Sequence, residues 1–303
     1  MTHPHRPLLA YACLAASVCL VGTYVGLSKA LVAVLPVFLL AWLRFAIAAL
    51  AMWPWLQPAR SEPPLSPVDR RWLFWESFIG NFLFSIFMLY GVSMTSALAA
   101  GLSLAAIPAA VALLSWAFLG ARISTRLLMA IVLAMGGIGV LAFSRTGDPG
   151  VGEHNGWGYG CLVAAVFCEA TYVVIGKRLT ANVSPKRISA LINLWGLALM
   201  TPLGLWQGWA FDFAALAPST WALLVFYALA ASMVSVWLWM RGLQEVPAPQ
   251  AGVFMVLMPL SATAVGVGYL GETMTPLHGL AAALALAGLL LATWPRQDNL
   301  APV

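Results

Sequence analysis

One carboxyl stands alone in the apolar run LVAAVFCEATYVVIG (Leu162–Gly176), that of Glu169. A charge inside a lipid-spanning segment is costly, so each such residue is a functional candidate. Glu169 can carry a proton or anchor a substrate amino group; the alternative is a structural carboxylate paired with Lys29 or Arg44. Arg44, within WLRF (Trp42–Phe45), can hold a substrate carboxylate or brace one helix against another. Lys29 closes the first apolar run, where its long stem can snorkel toward the outer headgroups. Asn81 and Ser85 either join helices by hydrogen bonds or face a polar cavity. Tyr24, Tyr172, Trp195, Trp237 and Trp239 lie deep or on repeated segments, where an aromatic ring can stack on a planar substrate. Pro108 and Pro259 fall midway along two apolar runs; a proline there bends a helix and frees a carbonyl, which suits a gate or hinge.

No other constellation carries chemistry. There is no Ser, His and acid set, no metal-ligand spacing, no phosphate loop and no nucleotide-binding glycine motif, and His3, His5, His154 and His278 fall at segment ends or in loops. The expectation is a protein that is not an enzyme and needs no cofactor or metal, and whose transport of a small molecule is driven by a gradient, with the substrate, an ion, or both moving downhill.

The elements that must position these residues follow from composition. With 62% hydrophobic and 8% charged residues and a mean hydropathy of +0.91, the chain is far more apolar than a soluble globule. Its apolar runs match the length needed to cross a bilayer as helices, because lipid offers no partners to free backbone groups. The pattern predicts an all-α integral membrane protein with ten spans, at 8–30, 35–56, 72–93, 96–119, 126–143, 156–179, 187–208, 219–240, 247–270 and 276–294. Turn-formers and charges punctuate them at 57–71, 145–156 and Ser184–Arg187. Cys13, Cys19, Cys161 and Cys168 lie within the spans and read as small packing residues with no disulfide.

The chain also repeats itself. Gly91, Gly101, Pro108 and Gly120 recur as Gly242, Gly252, Pro259 and Gly271, all 151 residues later, and Thr23, Tyr24 and Lys29 recur as Thr171, Tyr172 and Lys177, 148 residues later. Two related halves, 1–145 and 146–303, are the expected domains, the mark of a transporter built around a central site. Twelve of the fifteen Lys and Arg fall in segments that are cytoplasmic when both termini are inside, and Arg145 alone falls in an outer loop. That placement, rather than binding to nucleic acid, accounts for the net charge of +5. Five spans per half then make the second half enter the membrane inverted.

These residues resemble a known pattern. Lys29, the Pro36–Phe45 stretch ending in LRF, and the pair IPAAVALLSWAFLGARIS and LMPLSATAVGVGYLGETMT are similar to the EamA-type branch of the drug/metabolite transporter superfamily, over essentially the whole chain. Gly271-Glu272 matches the family's Gly-Glu; Gly120-Ala121 departs from it, and Val21-Gly22 stands where the family has Trp-Gly. The resemblance implies a multi-pass exporter of the bacterial inner membrane, with the aromatic amino-acid exporters of the YddG type as the subgroup it resembles; because one chain contains both halves of the site, it is expected to function as a monomer. It implies a substrate cavity between the halves, lined by helices one, three, four, six, eight and nine, and alternating access about it. A carrier of another metabolite or drug class, or a non-transporting membrane scaffold, is the alternative.

Overall fold

The computed structural model describes residues 6–57, 64–119, 156–180, 182–245 and 254–293, with isolated positions between 125 and 140. Among the described residues every regular element is helical. In chain order they are α1 (Arg6–Val32), α2 (Val37–Ala51), α3 (Pro67–Met94), α4 (Ala97–Leu104), α5 (Ile107–Leu119), α6 (Gly156–Leu179), α7 (Pro185–Gly208), α8 (218–245), α9 (Leu257–Gly268) and α10 (Pro276–Thr293). Five of these are long and apolar enough to cross a membrane, and α2, α9 and α10 contain shorter apolar helices. Most of the expected span 126–143, the loop 145–156, the boundary after Arg145, Gly120-Ala121 and residues 247–253 lie outside the described residues.

The expected span 96–119 is two helices rather than one. Ala105 and Ala106 form a tight turn, with Ala105 N–H donating to Leu102 O (3.2 Å) and Ala106 N–H to Ser103 O (3.1 Å). Pro108 follows in the first turn of α5, where its missing N–H costs no helical bond. Pro259 stands likewise in the first turn of α9, after a 3₁₀ turn at Phe254–Val256. The prolines therefore mark helix starts after a break, not bends inside a continuous rod. The expected span 35–56 also stops early, with α2 ending at Ala51 before a 3₁₀ turn, Trp53–Leu56, that contains Pro54.

Glycines let the helices touch. A Cβ on Gly91 of α3 would meet Leu162 of α6 at 2.6 Å, and one on Gly242 of α8 would meet Leu14 of α1 at 2.5 Å. The glycines are 151 residues apart and the leucines 148, so the same contact is made twice, each time between the two parts of the chain. Gly22 sets α1 on α9, where an added Cβ would lie 2.2 Å from both Met258 O and Ser261 Oγ. Gly101 sets α4 on Ala262 of the same helix. Such approach replaces the hydrophobic drive that lipid removes.

Charged and amide side chains close the helix ends. Gln207 Oε1 on α7 accepts from Phe38 N (2.8 Å) and Leu39 N (3.1 Å), the first turn of α2. Glu272 accepts from Ala97 N and Leu98 N, both at 2.8 Å, so its carboxylate closes the start of α4 beside the Ser96 cap. Gly271 (φ 69°) turns the chain to allow this, and Gly266 leaves the space, since a Cβ there would lie 2.8 Å from Glu272 Oε2. This gives the family's Gly-Glu a physical role. Glu272→Ala is expected to cost about 1–2 kcal/mol, the range for a lost helix cap, and to lower the melting temperature in thermal denaturation. A variant that melts like the parent would remove the cap from the account.

Candidate functional site: a cavity between α1, α3, α6 and α8

Helical periodicity brings one face of each central helix to a common cavity. Ser17, Val18, Val21 and Tyr24 come from α1, Gly80, Asn81 and Phe84 from α3, and Glu169, Tyr172 and Val173 from α6. From α8 come Ser232, Ser235, Val236 and Trp239, at the i, i+3, i+4, i+7 spacing of one helical face. Arg44 of α2, Ile192 of α7, Met255 in the 3₁₀ turn before α9 and Met258 in the first turn of α9 complete the wall. The expected fourth span, which the resemblance assigned to the lining and which is α4 and α5 here, supplies none of it among the described residues. Its small residues are packed instead, Gly101 on α9 and Leu98 and Ala99 in a cluster with Ala281 of α10.

Two of the four helices around the cavity loosen there. α3 carries a π-helical stretch at Phe78–Leu83 and α8 one at Ala230–Val234, equivalent places in the two halves. The wider turn brings Gly80 and Asn81 on one side, and Ala231 and Ser232 on the other, to the cavity wall. Single π turns of this kind recur at functional sites.

Arg44 is buried at 3% exposure and braces two helices. Its Nη2 donates to Asn81 Oδ1 at 3.2 Å and to Ser85 Oγ at 2.5 Å, Ser85 Oγ donates to Asn81 O, and Asn81 Nδ2 donates to Ile192 O at 3.2 Å. Nε has no protein acceptor, and no ion pair joins Arg44 to Glu169 among the described residues. Glu169 thus lines the cavity without the Arg44 partner that a purely structural carboxylate would need. Tyr24 stands within electrostatic range of both groups and meets Tyr227 edge to face at 5.7 Å.

The other expected residues are distributed as follows. Tyr24, Tyr172 and Asn81 reach the cavity; Ser85 lies behind Asn81 as part of the arginine brace. Trp237 points off the lining face of α8, and Trp239, two residues on, occupies it. The ring of Trp195 is 44% exposed and meets Phe74 edge to face, outside the cavity. Lys29 does not snorkel outward: Nζ donates to the carbonyls of Val92 (3.0 Å), Ser93 (3.3 Å) and Thr95 (2.5 Å), because the open carbonyls at the end of α3 attract a cation more strongly than distant headgroups. Pro108 and Pro259 shape the breaks and do not line the cavity.

Sequence reasoning missed Glu76. It falls near the start of the predicted span 72–93, close to Arg70 and Arg71, where an acid reads as a solvated span end. In the fold it is fully buried, and neither carboxyl oxygen has a protein hydrogen-bond partner. An acid inside the predicted boundary was the available signal.

Residues 8–143 and 156–294 each match the EamA-like transporter family. The chain belongs to that family. Among relatives of this EamA-like chain, the Bacillus subtilis (strain 168) protein called "Uncharacterized transporter YetK" is 31% identical over 281 residues, covering 92% of this chain and 85% of that one. A second B. subtilis protein, "Uncharacterized transporter YwfM", is 31% identical over 194 residues, 62% of each chain. A solved crystal structure matches 97% of this chain and 98% of its own with a TM-score of 0.65 at 18% identity, a likeness of fold. This EamA-like protein is thus a multi-pass membrane protein of a transporter family, with a duplicated family domain.

Proposed function

We propose that this protein is a secondary transporter of the bacterial inner membrane that exports amino acids, aromatic ones first, and similar small metabolites. The halves 1–145 and 146–303 form inverted five-span repeats with both termini cytoplasmic, and alternating access turns on the cavity between them. The observation that carries the substrate reading is one cavity holding a guanidinium and a carboxyl that do not pair with each other, Arg44 and Glu169, beside aromatic and thioether walls. A zwitterion satisfies both, with its carboxylate on Arg44 and its ammonium on Glu169. Its side chain then lies against Tyr24, Tyr172, Phe84, Trp239 and Met258. A phosphate-bearing substrate is disfavoured, since Arg44 is the one cation among the described lining residues.

Counterflow of labelled tryptophan, phenylalanine and a panel of other metabolites into liposomes containing the purified chain tests this. Saturable aromatic uptake is expected, falling by about tenfold or more in Glu169→Gln as a charge-assisted contact is lost. Flux of a different panel member without amino-acid flux would discard the substrate. Absence of all flux from folded protein would favour a scaffold.

A further inference from the structure

We infer that Glu76 and Glu169 are the two ends of a proton relay, with Tyr172 between them, that couples proton movement to substrate transport. The inference rests on the transport reading above and supplies its driving ion.

Three observations carry it. Glu76 has no exposure and no partner for either oxygen, and the Tyr172 hydroxyl, also buried, has none. A carboxyl buried without a partner is costly to ionise, and within a membrane-spanning segment it is a functional candidate by default. Secondly, the groups follow one another along a single face of α6. Glu169 lines the cavity, Tyr172 stands one turn on, and Gly176 one turn further lies against Glu76, whose Oε1 is 2.8 Å from where a Cβ would stand. Tyr172 is within electrostatic range of both carboxyls, and they are within range of each other. Thirdly, the row leads from the cavity toward the end of α3 that carries Arg70 and Arg71, which the proposed topology makes cytoplasmic.

The repeat sharpens the point. The residue 151 positions after Glu76 is Tyr227, and the residue 148 before Glu169 is Val21, so neither carboxyl has a counterpart in the other half. The relay therefore serves one face of the membrane. Among the described residues, Tyr24 on α1 and Cys168 on α6 are the other titratable groups within electrostatic range of Glu169, and Arg44 on α2 and Tyr227 on α8 are within range of Tyr24. Of these only Arg44 carries a permanent charge, and one of its terminal nitrogens is committed to Asn81 and Ser85.

A phenol hydroxyl both donates and accepts, so it passes a proton without changing its own state. In this state the Tyr172 hydroxyl bonds to neither carboxyl, so transfer needs a side-chain movement that closes it on both; Tyr172 then takes the proton leaving one carboxyl as it releases its own to the other. One acid becomes a carboxylate, one carboxylate becomes an acid, and the phenol is restored. A proton is favoured over a metal cation because hard cations need several oxygen ligands. Beside Glu76 lie instead the Gly176 backbone and the Met240 methyl.

The full chain in liposomes separates coupling from binding. With a proton gradient and labelled tryptophan, Glu76→Gln is expected to lose gradient-driven uptake by about tenfold or more, while counterflow without a gradient stays within about threefold. Glu76→Asp should recover part of the driven uptake; Tyr172→Phe should also lose driven uptake, but because its ring lines the substrate cavity its counterflow is not the control. Infrared difference spectra between acid and alkaline buffer, taken without substrate, give a second readout. Glu76→Gln should delete one carboxyl signal and shift the midpoint of the one that Glu169→Gln deletes. Full driven uptake in Glu76→Gln, uptake driven by sodium alone, or carboxyl signals that titrate independently would each overturn the relay. Linked carboxyl signals in a protein that moves no amino acid would sustain the relay and discard the substrate reading.

Discussion

Arg44→Met is expected to abolish tryptophan counterflow, by about a hundredfold or more, while leaving a protein that still inserts and folds. The guanidinium does two things. It braces α2 to α3 through Asn81 and Ser85, and it is the only cation among the described lining residues. Losing the brace orphans Asn81 Oδ1, which costs about 1–3 kcal/mol. The other polar groups keep bonds of their own, Ser85 to Asn81 O and Asn81 Nδ2 to Ile192 O. Losing the cation removes the partner of a substrate carboxylate, a charge-assisted pair that a neutral thioether cannot replace. The two roles separate by measurement. Adding Asn81→Leu to Arg44→Met should restore part of the thermal stability and none of the flux. Arg44→Lys keeps the charge but not the planar fork, and should remain at least about tenfold impaired. Counterflow within twofold of the parent in Arg44→Met would reduce the residue to a brace.

Gly22→Ala should be nearly as damaging, for a reason far simpler than recognition. One methyl added there would stand 2.2 Å from Met258 O and Ser261 Oγ and 3.0 Å from Ala262 N. Two of those three atoms are backbone, so no rotamer change relieves the clash and α1 must lift off α9. Overpacking usually costs about 1–3 kcal/mol, and a backbone clash belongs at or beyond the upper end. The same separation would open the cavity, because Val18, Val21 and Tyr24 on α1 face it beside Met255 and Met258. Gly136→Ala is the control: nothing lies within 4 Å of its Cβ position. There the change should be neutral or slightly stabilising, since alanine favours a helix over glycine by about 1 kcal/mol. Equal melting temperatures and equal flux for the two variants would refute the contact.

Several of these features were legible in the residues. Gly22 was visible as the surviving half of a family pair, with Val21 before it, although its partner was not. Gly91 and Gly242 were visible as a repeat, and both prove to be contact points, each on a leucine that is itself repeated. Glu169 stood out because a carboxyl in an apolar run has no cheap explanation, and it does line the cavity. Glu76 did not stand out, since its neighbours Arg70, Arg71 and Ser77 made it look like part of a wetted end. Trp237 and Trp239 were indistinguishable by depth, and a rotation of about 200° around the helix separates them. Lys29 was recognisable as an end-of-span cation, but the end of α3 that holds it is more than sixty residues away in sequence.

Composition alone thus determined that the chain lives in lipid, because 62% hydrophobic and 8% charged residues leave no polar surface to face water. The spacing of glycines and prolines determined that two parts of it are related. What only the tertiary structure decided is which face of each helix looks inward. In water a buried face is announced by hydrophobic residues against a polar background. In a bilayer both the lipid-facing and the packed faces are apolar, so that contrast disappears and the choice passes to shape: where glycines admit a neighbour, where a helix breaks, and where a π turn displaces its side chains. Those contacts turn scattered residues into one cavity containing Arg44, Glu169 and Tyr172, and they bury Glu76 beside it.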